Sequence, residues 1–450
     1  MSELDTIVKA YDIRGIVPDQ LNAEVAEALG VGFAKFISES EFARDRIIVA
    51  RDMRPSGPEL VEAFTQGVLS QGLDVVDIGL ASTDMLYFAS GYLDAPGAMF
   101  TASHNPAEYN GIKLAQAGAR PVGESTGLAD IKAYVLNPPS PATRLGQLTS
   151  QDLLSEFVTH VHSFVDVSAL KPLKVVADTA NGMGGLVVPA AFAGLPIDLE
   201  VMYPELDGTF PNHPANPIEV ENLADLRRRV VETGADLGLA FDGDADRVFL
   251  VDEHGEPISG SLTTALIAIG VLERDPGAKI IYNLICSAAV PEVIAEHGGQ
   301  AIRSRVGHSF IKQVMAETGA AFGGEHSAHY YFRDNWRADS GLIAAFVVLE
   351  ALSKSGGTLS QLIAPLDRYA ASGEINTQVA SPQAVIEHVA SVYSQWPQDR
   401  LDGLTVTGDG WWFNLRPSNT EPLLRLNLEA QTRAECDRMV AEVKSHFAAV

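Results

Sequence analysis

The sequence is poor in cysteine and contains no long apolar run. Its only two cysteines, Cys286 and Cys436, stand in apolar patterns, which favours core positions over a disulfide or a metal site. No uninterrupted apolar stretch reaches the roughly 18 residues that a membrane-spanning helix needs. The longest candidate, Leu342–Leu352, has the length of a buried helix. The sequence therefore predicts a soluble globular protein with no membrane partner.

Basic residues are also scarce, because 32 Lys and Arg stand against 58 Asp and Glu and give a formal net charge of −26. A surface of this charge repels nucleic acid, so we expect no nucleic-acid partner. An anionic substrate would need a local basic pocket. The acidic start of the chain, residues 1–5, lacks the basic and apolar segments of a secretory signal, and we therefore expect a cytoplasmic location.

A chain of 450 residues is too long for one core and predicts several domains. Apolar runs of strand length alternate with amphipathic stretches over most of the chain, which indicates parallel βαβ units and the α/β class. The proline-rich segment 137–141 is the best linker candidate, and the last 80 or so residues read as antiparallel strands before a helix. The predicted strands are Arg46–Arg51, Asp74–Ile78, Ala98–Thr101, Lys174–Asp178, Ile197–Met202, Leu237–Phe241, Val248–Asp252, Lys279–Asn283, Ala301–Val306, Gly373–Ala380, Thr405–Thr407, Trp411–Arg416 and Leu423–Ala430. The predicted helices include Leu60–Gln71, Asn222–Thr233, Gly341–Lys354 and Thr432–Phe447.

A serine follows one of the predicted strands directly. Ala98–Thr101 reads as a buried strand, and Asn105-Pro106 forces a turn, so Ser103 lies at the carboxyl end of that strand. Ligands of open α/β sheets bind at this edge. Ser103 is therefore a candidate nucleophile, and an ordinary polar turn is the alternative.

Three carboxylates follow another apolar strand at alternate positions. Asp242, Asp244 and Asp246 share one face of an extended loop, and their hard oxygen ligands favour Mg²⁺, Mn²⁺ or Ca²⁺. The same residues occupy positions of an EF-hand loop, but Arg247 stands where that loop needs glycine, and the flanks read as strands. A divalent-cation site is the prediction, and a solvated acidic turn is the alternative.

Two further loops carry polar groups suited to a sugar phosphate. The segment 416–422, Arg-Pro-Ser-Asn-Thr-Glu-Pro, gathers a guanidinium, hydroxyls and backbone N–H groups that suit a phosphate, and Arg425 can add a second guanidinium. The small-residue turn 323–329 bears Glu325, Ser327 and His329, which suit sugar hydroxyls. Either loop, taken alone, also fits a plain surface turn. The sequence has no Walker loop, dinucleotide fingerprint or zinc-protease motif.

Together, residues 101–106, 242–247, 324–329 and 416–420 resemble, in order and spacing, the four signature loops of the α-D-phosphohexomutase family. The segments 11–15 and 51–55 also resemble that family, and the resemblance covers essentially the whole chain. The Gly-Glu-His-Ser form of the third loop is most similar to the bacterial phosphomannomutase/phosphoglucomutase branch. The resemblance implies an isomerase that interconverts hexose 1-phosphate and hexose 6-phosphate, with mannose, glucose or both as the sugar.

The resemblance also implies a fold of four domains around a central cleft. Three are related mixed α/β-sheet domains, and the C-terminal one is a smaller α+β domain. The expected boundaries are 1–145 with the phosphoserine loop, 146–254 with the metal loop, 255–368 with the sugar loop and 369–450 with the phosphate loop. Gly373 is the expected hinge of the last domain. We expect a monomer or a weak homo-oligomer.

The roles that the resemblance implies fall into three groups. Ser103 carries the phosphoryl group, and with Asp242, Asp244 and Asp246 it holds one Mg²⁺ per chain. The residues around the transferring phosphoryl group are Arg14, His104, Lys113 and Arg247, and His329 and Lys113 are the candidate proton acceptors. The substrate-binding residues are Glu325, Ser327, Arg416, Ser418, Asn419, Thr420, Arg425 and His308. A hexose 1,6-bisphosphate is the implied intermediate and activator.

One segment departs from the family pattern. Many relatives carry a basic residue in the strand and turn where this sequence reads Asn283-Leu-Ile-Cys-Ser287, and Ile285 cannot attract phosphate. Arg305 or His308 is the candidate replacement, so the orientation of the substrate is the expectation that this departure affects.

Three activities remain compatible with these residues besides the mannose or glucose mutase. They are a phosphoglucosamine mutase, a metal-dependent sugar phosphatase that uses Ser103, and a sugar-phosphate sensor without turnover. Glucose and mannose differ only at the 2-hydroxyl, and the sequence shows no contact that reads it.

Overall fold

The computed structural model describes residues 4–9, 11–417 and 423–447, with the side chain of His308 left out. Its chain forms two compact units. Unit 1 comprises Met1–Ser259 and Ser327–Ser360, and unit 2 comprises Gly260–His326 and Gln361–Val450. The region expected to be a third domain, 255–368, is therefore shared between the two units.

The first sheet of unit 1 has seven strands in the order β1-β5-β4-β2-β3-β7, with β6 beside β5. Its central strand β2 carries four consecutive buried residues, Ile47–Ala50, because helices cover both faces of a parallel sheet. The strands are β1 Ile13–Ile16, β2 Arg46–Arg51, β3 Asp74–Leu80, β4 Gly97–Phe100, β5 Tyr109–Gln116, β6 Arg120–Pro121 and β7 Leu148–Ser150. The helices are α1 Leu4–Ile7, α2 Ala23–Glu39, α3 Gly57–Ser70, α4 Thr83–Tyr92 and α5 Leu128–Leu136.

The second sheet of unit 1 has five strands in the order β12-β11-β10-β8-β9. The strands are β8 Leu173–Asp178, β9 Ile197–Met202, β10 Leu237–Phe241, β11 Val248–Asp252 and β12 Pro257–Ile258. The helices are α6 Leu154–His162, α7 Gly184–Phe192 and α8 Ala224–Thr233. All five residues of β10 and of β11 are buried, and these strands form an antiparallel pair joined by the short loop 242–247.

Two short strands extend sheets of unit 1 past expected domain boundaries, which remain predictions. Strand β7 pairs in parallel with β3, Val75 opposite Leu148, so the first sheet continues past residue 145 to Ser150. Strand β12 pairs with β11, so the second sheet continues past residue 254 to Ile258. In both cases a short strand without an apolar alternation extends the sheet through backbone hydrogen bonds.

Segment Ser327–Ser360, which belongs to unit 1, contains a long and largely buried helix. The structure places α9 Gly260–Arg274, β13 Lys279–Asn283, α10 Ala289–Glu296, β14 Gln300–Ser304, α11 His308–Thr318 and β15 Phe322–Gly324 in unit 2. It then places β16 Tyr330–Phe332 and α12 Gly341–Ser355 in unit 1, before α13 Leu359–Ile363. Residues Gly341–Leu349 are all buried, which confirms the prediction of a core helix. Among the described residues, no helix is both long and apolar enough to span a bilayer.

The C-terminal part of unit 2 is an antiparallel sheet that ends in a helix, as predicted, and it has a further helix, Pro382–Val392, that was not predicted from the sequence. Its strand order is β17-β21-β20-β19-β18. The elements are β17 Ala370–Gln378, α14 Pro382–Val392, β18 Gln398–Asp399, β19 Leu404–Thr407, β20 Trp411–Pro417, β21 Leu423–Ala430 and α15 Arg433–Ser445. Gly373, with φ of +68°, lies in a bulge of β17 where the pairing with β21 shifts register.

Both cysteines are free and buried, as expected. Cys286 lies in unit 2 after β13, where burial raises the pKa of its thiol to about 12. Cys436 lies on α15 in the C-terminal core, and burial raises its pKa as well.

Candidate active site

Ser103 lies three residues beyond the end of β4, at the carboxyl edge of the first sheet, and its backbone has a φ of +50°. This left-handed conformation is unfavourable for a residue with a Cβ and concentrates at functional sites. The hydroxyl of Thr101 stabilises it by accepting a hydrogen bond from the N–H of Ser103 at 2.9 Å. The Ser103 hydroxyl is thereby directed at Asp242, whose Oδ2 accepts its hydrogen bond at 2.9 Å.

The three aspartates of loop 242–247 lie together beside Ser103. The ligand oxygens of Asp242, Asp244 and Asp246 are within 4.8 Å of one another, and all three side chains are buried. Gly243 lets the loop approach the serine, because a Cβ at this position would lie 2.4 Å from the carbonyl oxygen of Ser103. The carboxylate loop and the serine loop are thus in direct backbone contact.

Lys113 and Arg247 supply positive charge to these aspartates. Lys113 is on β5, opposite Met99 of β4, and its Nζ donates to Asp244 at 2.8 Å and to Asp246 at 2.7 Å. The Nε of Arg247 donates to Asp242 at 2.8 Å. Burial alone would lower the pKa of Lys113, but Asp244 and Asp246 raise it well above its ordinary value. Lys113 is therefore a stable cation in this arrangement.

His104 is held as a neutral acceptor. Its Nδ1 lies 2.6 Å from Nη2 of Arg247, which can only donate, and 3.1 Å from the Ser103 hydroxyl. Burial, with Arg247 and Arg14 nearby, lowers the pKa of His104 well below its ordinary value. Arg14, on β1, reaches the same loop by donating to Asn105 at 2.7 Å.

The aspartates have the charge and the free oxygens that a cation site needs. Three buried carboxylates face the two cations Lys113 and Arg247, and burial raises the pKa of Asp242, with Asp244 and Asp246 adding to the rise. Oδ1 of Asp244 and Oδ1 of Asp246 are buried without a hydrogen-bond partner. Buried oxygens of this kind are costly unless a ligand satisfies them. The residues therefore fit a hard divalent cation.

His329 and Ser327, from segment Ser327–Ser360 of unit 1, lie beside this group. Nε2 of His329 lies 3.9 Å from Oδ1 of Asp246, and its Nδ1 lies 3.1 Å from the hydroxyl of Ser327. Asp246, His329 and Asp339 form a second set whose ligand atoms lie within 4.8 Å of one another. Unit 1 thus brings together all the predicted residues around Ser103.

In unit 2, Glu325 is buried at the end of β15. Its Oε1 accepts hydrogen bonds from Nδ2 of Asn283 at 3.2 Å and from the N–H of Gly307 at 3.1 Å. Asn283 opens the segment that departs from the family pattern, and Ile285 within that segment is buried. The guanidinium of Arg305 stacks 4.5 Å from the ring centre of Phe310.

Arg416 and Arg425 of unit 2 stand directly opposite each other on β20 and β21. Glu374 of β17 lies between them, 2.6 Å from Nη2 of Arg416 and 3.5 Å from Nη1 of Arg425. Both arginines also have a buried Nε without a hydrogen-bond partner. Although Glu374 is partly buried, Arg416 and Arg425 lower its pKa. Ser418, Asn419, Thr420 and the side chain of His308 lie outside the described residues.

Sequence reasoning missed three residues that hold these groups in place. Thr83, on α4, donates its hydroxyl to Asp244 at 2.6 Å. Arg54 donates to the backbone of the serine loop, and Glu374 pairs with the two arginines described above. The only advance signal was the segment 51–55 that contains Arg54. Thr83 and Glu374 carry no local pattern of their own.

Comparison with known proteins adds four family matches in chain order. They are the phosphoglucomutase/phosphomannomutase α/β/α domain I at residues 5–139, domain II at 155–255, domain III at 259–369 and the C-terminal domain at 374–446. The expected architecture of three α/β domains and a smaller C-terminal domain is thereby confirmed.

Individual relatives match over nearly the full chain. A phosphomannomutase of Escherichia coli (strain K12) is 40% identical over 438 residues, which is 95% of each chain. A protein named phosphohexose mutases, from Xanthomonas campestris pv. campestris (strain B100), is 40% identical over 431 residues and 94% of each chain. A phosphoglucomutase/phosphomannomutase family protein of Burkholderia thailandensis, solved by X-ray crystallography, superposes with a TM-score of 0.90 at 31% identity over 100% of this chain and 98% of its own.

Proposed function

The chain belongs to the phosphoglucomutase/phosphomannomutase family, and from that premise we propose that it interconverts hexose 1-phosphate and hexose 6-phosphate through a phosphorylated Ser103. One observation carries the proposal. The Ser103 hydroxyl lies 2.9 Å from Asp242 within a buried set of three carboxylates that has two unsatisfied oxygens. The three buried carboxylates already need a cation to offset their charge, and a phosphoserine beside them increases that need.

Asp242, Asp244 and Asp246, with a phosphoryl oxygen on Ser103, are the residues that would hold one Mg²⁺. When bound, Mg²⁺ offsets the negative charge that otherwise repels an incoming hydroxyl oxygen. Thr83 holds one oxygen of Asp244 through its hydroxyl, which leaves the other oxygen free for the cation.

The forward step transfers the phosphoryl group from Ser103 to a sugar hydroxyl. The bond between Oγ and phosphorus breaks, and a bond from the sugar oxygen to phosphorus forms. The sugar hydroxyl gives its proton to a base, and Oγ takes up one proton in place of the phosphoryl group. The product is a hexose 1,6-bisphosphate, which turns around and returns its other phosphate to Ser103. Arg247 and Lys113 stabilise the transferring group as fixed positive charges.

We assign proton acceptance to His329. Lys113 is the less suitable base, because its Nζ donates to both Asp244 and Asp246. His329 lies beside Asp246 in the same unit as Ser103, and its ring is oriented by Ser327. A positioned base contributes about 10²-fold to 10⁴-fold to a rate, so His329→Ala should slow turnover strongly without abolishing it.

Unit 2 carries the remaining residues of the proposal. The carboxylate of Glu325 suits sugar hydroxyls, and Arg416 and Arg425 suit a phosphate. The sequence adds Ser418, Asn419 and Thr420 to this phosphate site. Gly373 remains the proposed hinge, and its bulge suits a change of backbone direction.

The sugar is mannose, glucose or both. Two relatives of equal identity carry the names phosphomannomutase and phosphohexose mutases, and the second name does not specify one hexose. We further propose that the four domains divide after Ser150, after Ile258 and before Ala370, where the sheets begin and end.

Phosphorus NMR of the purified protein tests the activity. Mannose 1-phosphate with Mg²⁺ and a trace of hexose 1,6-bisphosphate should give mannose 6-phosphate, and parallel reactions with glucose 1-phosphate and glucosamine 1-phosphate should rank the sugars. Release of free phosphate alone would identify a phosphatase. Unchanged spectra with all three sugars would overturn the mutase and favour a binding protein.

A further inference from the structure

The most fully bonded charged side chain near the serine loop is Arg54, which follows β2 and is completely buried. Its Nη1 donates to the carbonyl oxygens of Pro106 at 2.7 Å and Tyr109 at 2.8 Å. Its Nη2 donates to those of Ser103 at 3.0 Å and Asn105 at 2.6 Å, and its Nε contacts Asp52 at 3.3 Å. All five N–H donors of the guanidinium are thereby used, four of them on one loop.

The loop that Arg54 binds has little regular structure to fix its path. It runs from β4 to β5, and its carbonyl oxygens converge on a single planar group. Buried carbonyl oxygens need donors, and in a turn the backbone supplies few of them. The rigid geometry of a guanidinium fixes the relative directions of the carbonyls that it binds.

One of these carbonyls links the two halves of the candidate site. The oxygen of Ser103 that Arg54 holds is the oxygen that faces Gly243, in the loop that bears the aspartates. Arg54 is itself enclosed from the second sheet's side, because the ring of Phe210 lies 5.3 Å from its guanidinium and a Cβ at Gly208 would lie 2.6 Å from its Cα. The guanidinium therefore lies where the serine loop, the carboxylate loop and the second domain meet.

A buried ion pair is weak support for a purely stabilising role, because apolar residues of similar volume stabilise a core at least as well. The pair of Arg54 and Asp52 is fully buried. The four carbonyl contacts explain the presence of a buried arginine better, because no apolar residue can make them.

We propose that Arg54 is a positioning residue that fixes the backbone of the serine loop and so holds the Ser103 hydroxyl in line with the carboxylates, without touching the substrate. The inference rests on the proposed phosphoserine chemistry. A misplacement of a reacting group by about 1 Å can cost about 100-fold in rate. Loss of Arg54 should therefore act on kcat and leave substrate affinity nearly unchanged.

The test compares Arg54→Lys and Arg54→Ala with the unmodified chain in the mutase assay. Lysine keeps the charge but has one donor atom, which cannot reach four carbonyls, so kcat should fall about 100-fold while KM changes less than about threefold. Arg54→Ala should lose at least as much activity. Guanidinium ion in the tens of millimolar range should restore part of the activity of Arg54→Ala, whereas ethylammonium at the same concentration should not.

Two controls separate positioning from general stability. Arg44→Lys alters a partly exposed arginine that also donates to carbonyl oxygens, those of Asp94 and Ala43, and should leave activity unchanged. Val68→Ala weakens the apolar core of the domain that carries the serine loop, without touching that loop. If Arg54→Ala does not fold, the lysine variant decides alone.

The outcomes are distinct. A lysine variant with kcat within about twofold of the unmodified chain would overturn the proposal, and so would a loss of activity that merely follows the loss of thermal stability as in Val68→Ala. An unmodified chain with no mutase activity is a failure of the proposed function, and the phosphorylation of Ser103 by hexose 1,6-bisphosphate, followed by mass spectrometry, would then show whether Arg54 still controls the reactivity of that serine.

Discussion

The two units carry clusters of charged side chains with opposite net charge. In unit 1, Lys113 and Arg247 face three buried aspartates, so negative charge exceeds positive charge and the atoms are fixed by short hydrogen bonds. In unit 2, Arg416 and Arg425 share one carboxylate, Glu374, so positive charge exceeds negative charge. The side chains of Arg425 and Glu374 remain about a third and a quarter exposed, at 33% and 27%.

Because of this difference in net charge, the two clusters suit different ligands. A cluster with excess negative charge and unsatisfied oxygens suits a cation, and its rigidity suits the transfer of a group over a short distance. A cluster with excess positive charge and unsatisfied N–H groups suits an anion that enters and leaves. The opposite arginines would repel each other without Glu374, which therefore acts as an internal anion in the absence of a ligand. Changes at Ser103 or Asp244 alter the site of unit 1 alone, and changes at Arg416 or Glu374 alter the cluster of unit 2 alone.

The largest effect is expected from Ser103→Ala. Without Oγ no phosphoryl group can be carried, so turnover should fall by at least about 10⁴-fold. Binding of mannose 1-phosphate, measured by calorimetry, should change less than about threefold because the unit 2 cluster is intact. Ser90→Ala, which removes a buried structural hydroxyl in the same domain, serves as the control. A Ser103→Ala enzyme that turns over substantially would remove the phosphoserine from the mechanism.

The next effect concerns the cation. Asp244→Asn removes a charge from the set of three carboxylates, and affinity for Mg²⁺, measured by titration of activity, should fall at least about 100-fold. Chelation of divalent ions with EDTA should abolish the activity of the unmodified chain, and added Mg²⁺ should restore it. Asp252→Asn alters a buried acid at the other end of the same hairpin and should keep normal affinity. Full activity after chelation would contradict the cation site.

Arg416→Lys should show the opposite kinetic pattern to the changes in unit 1. Lysine cannot make the two-pronged contact of a guanidinium with phosphate, so KM should rise about tenfold while kcat changes less than about threefold. The exposed Arg438→Lys on α15 is the matched control in the same domain. A fall in kcat with unchanged KM would place Arg416 among the groups of the chemical step instead.

Glu374→Gln should lower KM. The neutral amide no longer competes for the two arginines, and partial exposure limits the gain to about fivefold, near 1 kcal/mol. Glu387→Gln, which removes an exposed partner of Arg400, should have no such effect. A higher KM would mean that Glu374 orients the arginines for the phosphate and does not compete with it.

A separate effect, on stability and not on kinetics, is a pH dependence in unit 1. Burial raises the pKa of Asp84 to about 7, although Ser340 and Ser82 donate hydrogen bonds to it. Since the native state binds this proton more tightly than the unfolded state, stability rises as pH falls from about 7 towards about 4. Between pH 8 and pH 5.5 this adds about 2 kcal/mol, and Asp84→Asn should lack that increment. Melting temperatures of both proteins across this range measure it, and parallel curves would contradict the assignment.

The strands were predictable where apolar residues are contiguous. Strands β9, β10, β11, β13 and β21 begin and end as predicted. Strand β7 was missed because its residues Leu148–Ser150 are all exposed and show no alternation. Only its pairing partner identifies it as a strand, and that partner lies some 70 residues earlier.

The site was predictable where its residues are neighbours in the sequence. The aspartates of loop 242–247 lie within five positions, and their spacing alone predicts their convergence. Arg54 and Thr83 have no such signal, because their contacts to Ser103 and Asp244 join residues 49 and 161 positions apart. Contacts of this kind form only when the folded chain brings distant residues together, and a single sequence does not show which distant residues will meet.

The burial of both cysteines has a practical consequence for spectroscopy. Cys286 and Cys436 are inaccessible, and the raised pKa of each thiol leaves almost no reactive thiolate near neutral pH. Cysteines introduced on the surface should therefore react selectively with maleimide dyes while both native thiols stay unlabelled. A variant with one introduced surface cysteine on each unit, and with both native cysteines kept, can thus carry one fluorophore on each unit, and single-molecule energy transfer can follow the distance between the dyes during turnover.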